Sequence, residues 1–340
     1  MKNQYAQNQS SRSSRRWGRW AGVSILKPQL ATLALLLLLV GADRASAASY
    51  FSVGSSIWTD TANWSTANTG APTGFGPPVA GDIASIRPGT VTVDANAACT
   101  TLLVGFGSST AAKQTLTFAN TVTLNVSGRL DVGTAATGGT RPGYLIFTPG
   151  ATVTAGSLSL NRNAKTLAST EVTRSTLDMT LGGKLVTGSL AVAGKLSPDT
   201  DAVWLPGLGT VELNANNTLP ATHFISFNNL TLSGGTTTLA ANLSIGGKLD
   251  IGASSFMSLG TFTSSTADSL WFNGVQQEGG VWGPLGSGAA HESGFFTGDS
   301  SARMNVTVVP EPTAGALMGL AVLCLAAVRA RQARRPVGSQ

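Results

Sequence analysis

Charged residues, aromatic residues and cysteine are all scarce in this chain. Of its 340 residues, 11% are charged and 6% are aromatic, and only two are cysteines. Cys324 lies in an apolar C-terminal segment, so Cys99 is alone in the rest of the chain, which excludes a disulfide or a cysteine-based metal cluster there. The 41 glycines, 14 prolines and abundant Thr disfavour a helical bundle, because Gly and Pro interrupt helices and Thr favours strands. The composition therefore predicts a β-rich body that is stabilised by packing alone.

The positive net charge of +6 is concentrated at the two ends of the chain. Residues 1–47 carry seven Lys or Arg and one Asp, and residues 311–340 carry four Arg and one Glu. The interval 48–310 keeps 11 basic and 14 acidic residues, a net charge of −3. Because binding to a phosphate backbone needs clustered Lys and Arg, the sequence predicts no nucleic-acid partner.

The N-terminus has the layout of a secretory signal peptide. Residues 30–42 are strongly apolar, and Ala45 and Ala47 form the small-x-small pattern of a cleavage site. The basic residues before the apolar stretch are Arg12, Arg15, Arg16, Arg19 and Lys27. An uncleaved anchor and a twin-arginine signal are the alternatives, but the cleavage site and the dense Leu run favour the general export machinery and signal peptidase.

The C-terminus combines a short motif, an apolar segment and a basic tail. Pro310, Glu311 and Pro312 precede the apolar residues 313–328. The tail that follows contains Arg329, Arg331, Arg334 and Arg335. The apolar segment is a marginal length for a single transmembrane helix, and its basic flank predicts a cytoplasmic tail with the body outside.

This arrangement resembles the PEP-CTERM sorting signal. The resemblance implies that an exosortase, a membrane-embedded cysteine protease, recognises Pro310, Glu311 and Pro312 and removes the tail. The protein would then be anchored transiently in the membrane and finally reach the cell surface or the medium. The resemblance covers about the last thirty residues, and an ordinary C-terminal membrane anchor is the alternative.

Apolar residues alternate with polar ones over much of the body, which is the pattern of half-buried strands. They occupy even positions at Leu116, Phe118, Val122, Leu124, Val126, Leu130 and Val132, and odd positions at Leu239, Leu243, Ile245, Leu249 and Ile251. A glycine-centred repeat aligns residues 124–133 with 243–252, and weaker copies centre on Gly183 and Gly194. Glycine lets a strand bend or bulge, so each unit predicts a strand, a corner and a strand.

Short strands that repeat without helical connections favour a β-helix or solenoid-like stack. A β-sandwich is the alternative, because it shares the alternation. Trp58 and Trp64 lie in a Pro- and Gly-rich N-terminal region, where we expect them to cap the first rung rather than to form a sugar-binding platform.

The segment from Leu270 to Gly298 contains a strong hairpin turn, Asn273-Gly274. It resembles the closing segment of proteins with autotransporter-associated β-strand repeats, found in planctomycete- and verrucomicrobia-like bacteria. That resemblance covers about forty residues and implies an exported β-solenoid of the cell envelope.

The sequence predicts no catalytic, cofactor-binding or metal site. Glycoside hydrolysis needs two converging carboxylates, and the closest pair here, Asp199 and Asp201, has the pattern of a turn. Asp131 and Asp250 recur in the repeat, where we expect exposed corner residues rather than calcium ligands.

Two further residue types were candidates for chemistry. His223 and His291 lack the spacing of a zinc motif, and Cys99 has no His partner nearby, so we expect a small buried residue rather than a nucleophile.

The predicted organisation has five parts. They are a signal peptide (1–47), a Trp/Pro/Gly-rich cap (48–90), a solenoid-like body (91–266), a closing β module (267–309) and a sorting signal (310–335). The predicted function is that of an exported, non-enzymatic protein of the cell envelope or extracellular matrix, structural or adhesive in role. A β-helix protein that binds or degrades extracellular polysaccharide is the alternative.

Overall fold

Strands form almost all regular structure in the computed structural model, which describes residues 47–67, 73–74, 76–87, 89–106, 113–133, 142–161, 174–193 and 202–307. These residues contain one turn of 3₁₀ helix, Thr61–Asn63, and no α-helix. The strands are β1 (Ser49–Ser52), β2 (Ser56–Ile57), β3 (Trp64–Ser65), β4 (Ile83–Ile86), β5 (Gly89–Val93), β6 (Ala97–Cys99), β7 (Thr101–Val104), β8 (Gln114–Phe118), β9 (Thr123–Val132), β10 (Gly143–Ile146), β11 (Thr152–Asn161), β12 (Thr176–Asp178), β13 (Lys184–Thr187), β14 (Leu190–Ala193), β15 (Val203–Leu205), β16 (Thr210–Leu213), β17 (Asn217–Leu219), β18 (Ser226–Phe227), β19 (Asn229–Leu232), β20 (Gly235–Leu239), β21 (Ser244–Ile251), β22 (Ser255–Ser258), β23 (Ser265–Phe272), β24 (Val275–Gln276), β25 (Gly280–Gly283), β26 (His291–Glu292), β27 (Phe296–Thr297) and β28 (Met304–Val306).

The strands belong to three sheets in which most neighbours are parallel. The large sheet has 18 strands, the second has six in the order β15-β12-β10-β8-β5-β2, and the third has four in the order β17-β20-β22-β27. We call strands that stack on one another as the chain advances successive levels. Hydrogen bonds between neighbouring levels link residues that are 19 positions apart at Asn229 and Lys248 but 35 positions apart at Ser55 and Thr90. The all-β prediction is therefore confirmed. Large parallel sheets whose strands succeed one another along the chain are consistent with a β-helix or solenoid-like fold.

The predicted alternation places the core correctly. Each apolar position of the two alternating series is at most 7% exposed. Stacked strands bring these residues into apolar ladders that run through the molecule, one of which contains Leu124, Val153, Leu185, Val211, Leu230, Leu249 and Leu270. Because each level adds only a few side chains, burial is continuous without a thick core, which explains the low aromatic content.

The glycine repeat produces bulges within continuous strands. The pairing of β9 with β11 shifts between Ala155 and Ser157, and the pairing of β21 with β23 shifts between Ile245 and Lys248. At the first shift, a Cβ on Gly156 would lie 2.8 Å from the carbonyl oxygen of Gly128. Glycine is required there because two backbones approach closely.

For the weaker copy centred on Gly183, the register that the sequence alignment predicts is wrong. Leu185 lies opposite Val153, which lies opposite Leu124, whereas the sequence alignment set Leu185 against Leu130. Gly183 has a φ of 88° before β13, so its glycine serves a turn instead of a bulge. The counterpart of Gly128 at this level is Gly188, whose amide donates to the carbonyl of Gly156. Gly194 lies outside the described residues.

Asparagine side chains connect successive levels at several corners, a role that the sequence analysis did not identify. The Oδ1 atoms of Asn96, Asn216 and Asn242 accept from the backbone amides of Thr123, Thr236 and Ser264 at 2.9, 2.8 and 3.1 Å. Each bond satisfies a backbone donor that the bend in the chain removes from the sheet ladder.

Antiparallel strands occur at both ends of the large sheet. β3 pairs antiparallel with β1, and β25 pairs antiparallel with β28. The predicted hairpin is confirmed, because β23 and β24 pair antiparallel around Asn273 and Gly274, both with positive φ. β5 and β23 cross the predicted boundaries at residues 90 and 266, so these boundaries do not coincide with breaks in the sheets.

The two predicted targeting segments lie outside the described residues, except for Ala47. This applies to residues 1–46 and 310–335, including the proposed transmembrane helix. Among the residues with described structure, no helix has the length and apolar character needed to span a membrane.

Candidate functional site

The outer face of the four-stranded sheet carries two rows of polar side chains in register. In one row, Thr218 pairs with Thr238, Thr238 with Ser258, and Ser258 with Thr297. The rows arise from alternation, since the intervening Thr237 and Met257 point inward and are fully buried. Stacked parallel strands repeat the row at the strand spacing of about 4.8 Å.

The second row lies beside the first and ends in an aromatic ring. The Oδ1 of Asn216 accepts from the amide of Thr236 at 2.8 Å, and Thr236 pairs with Phe256 on the next strand. Phe256 is 41% exposed, although phenylalanine is usually buried. This face therefore presents a ring beside rows of hydroxyl and amide groups.

A groove of about 340 Å³ lies at the β17 end of this face. The described residues that line it are polar and uncharged: Asn216, Asn217, Thr218, Thr236 and Thr238. Asn217 is only 8% exposed, and its Oδ1 accepts from the amide of Leu190 at 3.3 Å. Its Nδ2 is buried without a hydrogen-bond partner. Asn217 alternates with Thr218 and lies opposite the inward-facing Thr237, so its side chain faces the interior and not the groove.

The hydroxyl groups of this face are not used within the described part of the chain. Thr218, Thr236, Thr238, Ser258 and Thr297 make no side-chain hydrogen bond there, whereas Thr148 and Thr187 bond to backbone carbonyls. Free hydroxyls both donate and accept, so the face can bind a ligand rich in hydroxyl groups.

A second groove, of about 590 Å³, lies near the N-terminal levels. It is more apolar and is lined by Trp58, Thr59, Pro77, Pro78, Val79, Ala80, Asn96, Ala97, Ala98, Thr123 and Asn125. Trp58 and Trp64 are 2% and 0% exposed, and their rings pack edge to face at 4.9 Å. The indole nitrogen of Trp64 donates to the Trp58 carbonyl at 2.8 Å. The alternative of a sugar-binding platform is therefore wrong for these rings, which pack in the core.

Cys99 is buried in β6. Its side chain faces the core at 1% exposure, as predicted for a small buried residue. Burial, with a smaller effect from Asp82, raises the pKa of the thiol to about 12. The reactive thiolate is therefore scarce at neutral pH.

Most described carboxylates have local structural partners. Those that accept from turn amides or nearby hydroxyls are Asp60, Asp82, Asp94, Asp178, Glu292 and Asp299. Glu212 pairs with Lys184 at 2.7 Å, and although burial acts to raise its pKa, hydrogen bonds from Lys184 and Ser233 lower it overall. Such carboxylates hold turns and neighbouring strands together.

The expectation of exposed corner residues is wrong for the two recurring aspartates. Asp131 and Asp250 lie within β9 and β21, where Arg129 and Lys248 pair with them at 3.0 and 2.7 Å. Asp131 is only 9% exposed, and burial raises its pKa while Arg129 acts to lower it. The recurring sequence thus encodes an ion pair two residues apart on one strand face.

The histidines take separate structural places. His291 stacks on Trp282 with ring centres 4.7 Å apart, and His223 has a φ of 70° in a turn. Within the residues that the structure covers, no three His, Cys, Asp or Glu side chains are grouped as metal ligands would be. Asp199 and Asp201 lie outside the described residues.

The predicted sorting and cleavage residues also lie outside the described residues, with one exception. Pro310, Glu311, Pro312, the tail arginines 329, 331, 334 and 335, and Ala45 are all in this group. Ala47 is described, and it is an exposed residue just before β1. Comparison of the chain with family models, with curated proteins and with solved structures gives no match.

Proposed function

We propose that this is an exported, non-enzymatic protein of the cell envelope or extracellular matrix with a structural or adhesive role. Its signal peptide would be removed by signal peptidase, and an exosortase would act at Pro310, Glu311 and Pro312. The boundaries of the sheets support this scheme, because β1 begins at Ser49 and β28 ends at Val306. Cleavage at either proposed position would leave every described strand intact.

We also propose that the parallel sheets wind as a β-helix. Sandwiches of the immunoglobulin type are built from antiparallel strands, whereas nearly all pairings between levels here are parallel. Each level then buries its apolar row on the next, which gives a rigid rod suited to a surface layer.

The observation that carries the non-enzymatic proposal is the use of the carboxylates. A glycosidase needs two carboxyl groups across one bond, roughly 5 to 10 Å apart, and a free base. The described acidic side chains mostly serve turns or ion pairs, and the exposed hydroxyl face carries none. Such a surface suits binding and scaffolding.

Intact-mass analysis of the chain from its native host tests the proposal. Envelope and medium fractions would be compared. A product that begins near Ala48 and ends between Val309 and Pro312 is expected. A product that keeps its arginine tail would make this a plain membrane-anchored protein and would contradict exosortase processing.

Polysaccharide binding is the second candidate function. The hydroxyl-rich face of the four-stranded sheet favours it, since this face combines unused hydroxyls with an exposed ring. Degradation of polysaccharide has no comparable support, because no carboxylate is found among the described residues that line that groove.

A further inference from the structure

We propose that the outer face of the four-stranded sheet is a binding site for a neutral polysaccharide chain, with the groove at β17 as one subsite. The inference rests on the second candidate function and assigns it to specific side chains. The sugar would contact Thr218, Thr238 and Phe256.

The hydrogen-bonding groups of this face fit a polyhydroxylated ligand. Thr218 and Thr238 lie on paired strands, and neither hydroxyl has an internal partner. Each can donate one hydrogen bond and accept others, as a sugar hydroxyl does.

Phe256 supplies the apolar part of the site. Its ring is 41% exposed beside Thr236, on the same face as the hydroxyl row. Ligand sites typically combine aromatic contact area with a few placed polar groups. A sugar ring has apolar C–H faces and polar edges, so it matches a phenyl ring flanked by hydroxyls.

The absence of charge in this lining selects the class of polymer. No Lys, Arg, Asp or Glu is among the described residues that line the groove, and Phe256, Ser258 and Thr297 extend the face without charge. A polyuronate or a nucleic acid would find no cation to offset the cost of removing its charges from water. The surface therefore fits a neutral glycan.

Retention on polysaccharides measures this binding directly. The full chain, kept in mild detergent because both ends are apolar, would be run in native gels that contain a neutral β-glucan, dextran or xyloglucan, or anionic alginate. Retardation by at least one neutral polymer is expected. The double variant Thr218→Val/Thr238→Val should weaken that binding about tenfold, since two hydrogen bonds are lost and the shape is kept. Phe256→Ser should weaken it by a similar factor.

Thr231→Val is the matched control. Thr231 is also a partly exposed strand threonine without a side-chain hydrogen bond, but it lies on the large sheet. Its variant should bind as the unmodified chain does, and all variants should retain the unmodified unfolding midpoint.

Three results would overturn the site: retardation by no neutral polymer, a preference for alginate, or equal binding by the unmodified chain and the double variant. None of them bears on export and processing, which the intact-mass experiment tests separately.

Discussion

Cys99 and Trp64 show how burial decides the role of a single residue. Both belong to types that often carry chemistry or binding, and their types alone left two interpretations open for each. The neighbouring sequence correctly favoured the structural role, because Cys99 has no nearby His and Trp64 precedes a Pro- and Gly-rich stretch. The hydroxyl row was missed at this scale, since the sequence does not show which threonines of different strands come into register.

The thiol of Cys99 makes stability depend on alkaline pH. Burial raises the pKa of the thiol to about 12 in the folded chain, so the stability is full below about pH 9, where the unfolded thiol is protonated too, and falls as the pH rises toward 12. Between pH 9 and 11 the unmodified chain should lose about 1.4 kcal/mol per pH unit more than Cys99→Ala does. Urea unfolding of both chains at several pH values measures this, and parallel pH curves would contradict it.

Trp64→Ala should destabilise the fold by about 3 to 5 kcal/mol, because a fully buried ring and its edge-to-face contact are lost. Trp271→Ala is the control, because Trp271 is partly exposed on the outer face over the ammonium group of Lys248. Its loss should cost about 1 kcal/mol. Denaturant midpoints compare the two, and equal effects would argue against Trp64 as a core residue.

At the scale of elements, the period-two pattern predicted the strands and their buried faces, but it did not predict which level pairs with which. Short glycine motifs look alike whether the glycine forms a bulge, as at Gly128, or a turn, as at Gly183. Only the hydrogen bonds between levels distinguish these roles, and the intervening corner lengths set those bonds. The asparagine connectors were missed for the same reason, because each bonds to a residue on the next level.

The stacked glycines Gly128 and Gly156 provide a test of how closely the two backbones pack at the bulge. Gly156→Ala should destabilise by roughly 1 to 3 kcal/mol, because the new Cβ would lie 2.8 Å from a backbone oxygen. A Cβ on Gly246 would have no atom closer than 4.0 Å, so Gly246→Ala should be neutral or slightly stabilising. Thermal unfolding distinguishes them, and a neutral Gly156→Ala would show that the two backbones can separate.

At the scale of the whole molecule, exposed sheet edges are the main hazard of a parallel stack. Unpaired backbone groups of an edge strand can pair with another chain. The antiparallel strands β3 and β25 lie where such edges would otherwise be open. The sequence indicated this closure at the C-terminal end through Asn273-Gly274, but it did not indicate that β25 would pair with β28.

Removal of the closing strands should therefore cause association. A chain that spans residues 48–264 lacks β23 and exposes the edge of the eight-residue strand β21. We expect it to form oligomers, whereas a chain that spans residues 48–307 should remain monomeric at the same concentration. Light scattering after size-exclusion chromatography measures this, and a monomeric shorter chain would show that β21 needs no cover.

The unequal spacing between levels has a consequence for how such a protein can change over evolution. Bonds between levels join residues 19, 27 or 35 positions apart, yet the apolar ladders continue without interruption. The ladders accommodate these differences in spacing, so insertions between the strands need not disturb the packed interior. Lineages can therefore lengthen a segment between strands or duplicate a level and diversify the surface while they inherit the same apolar ladders.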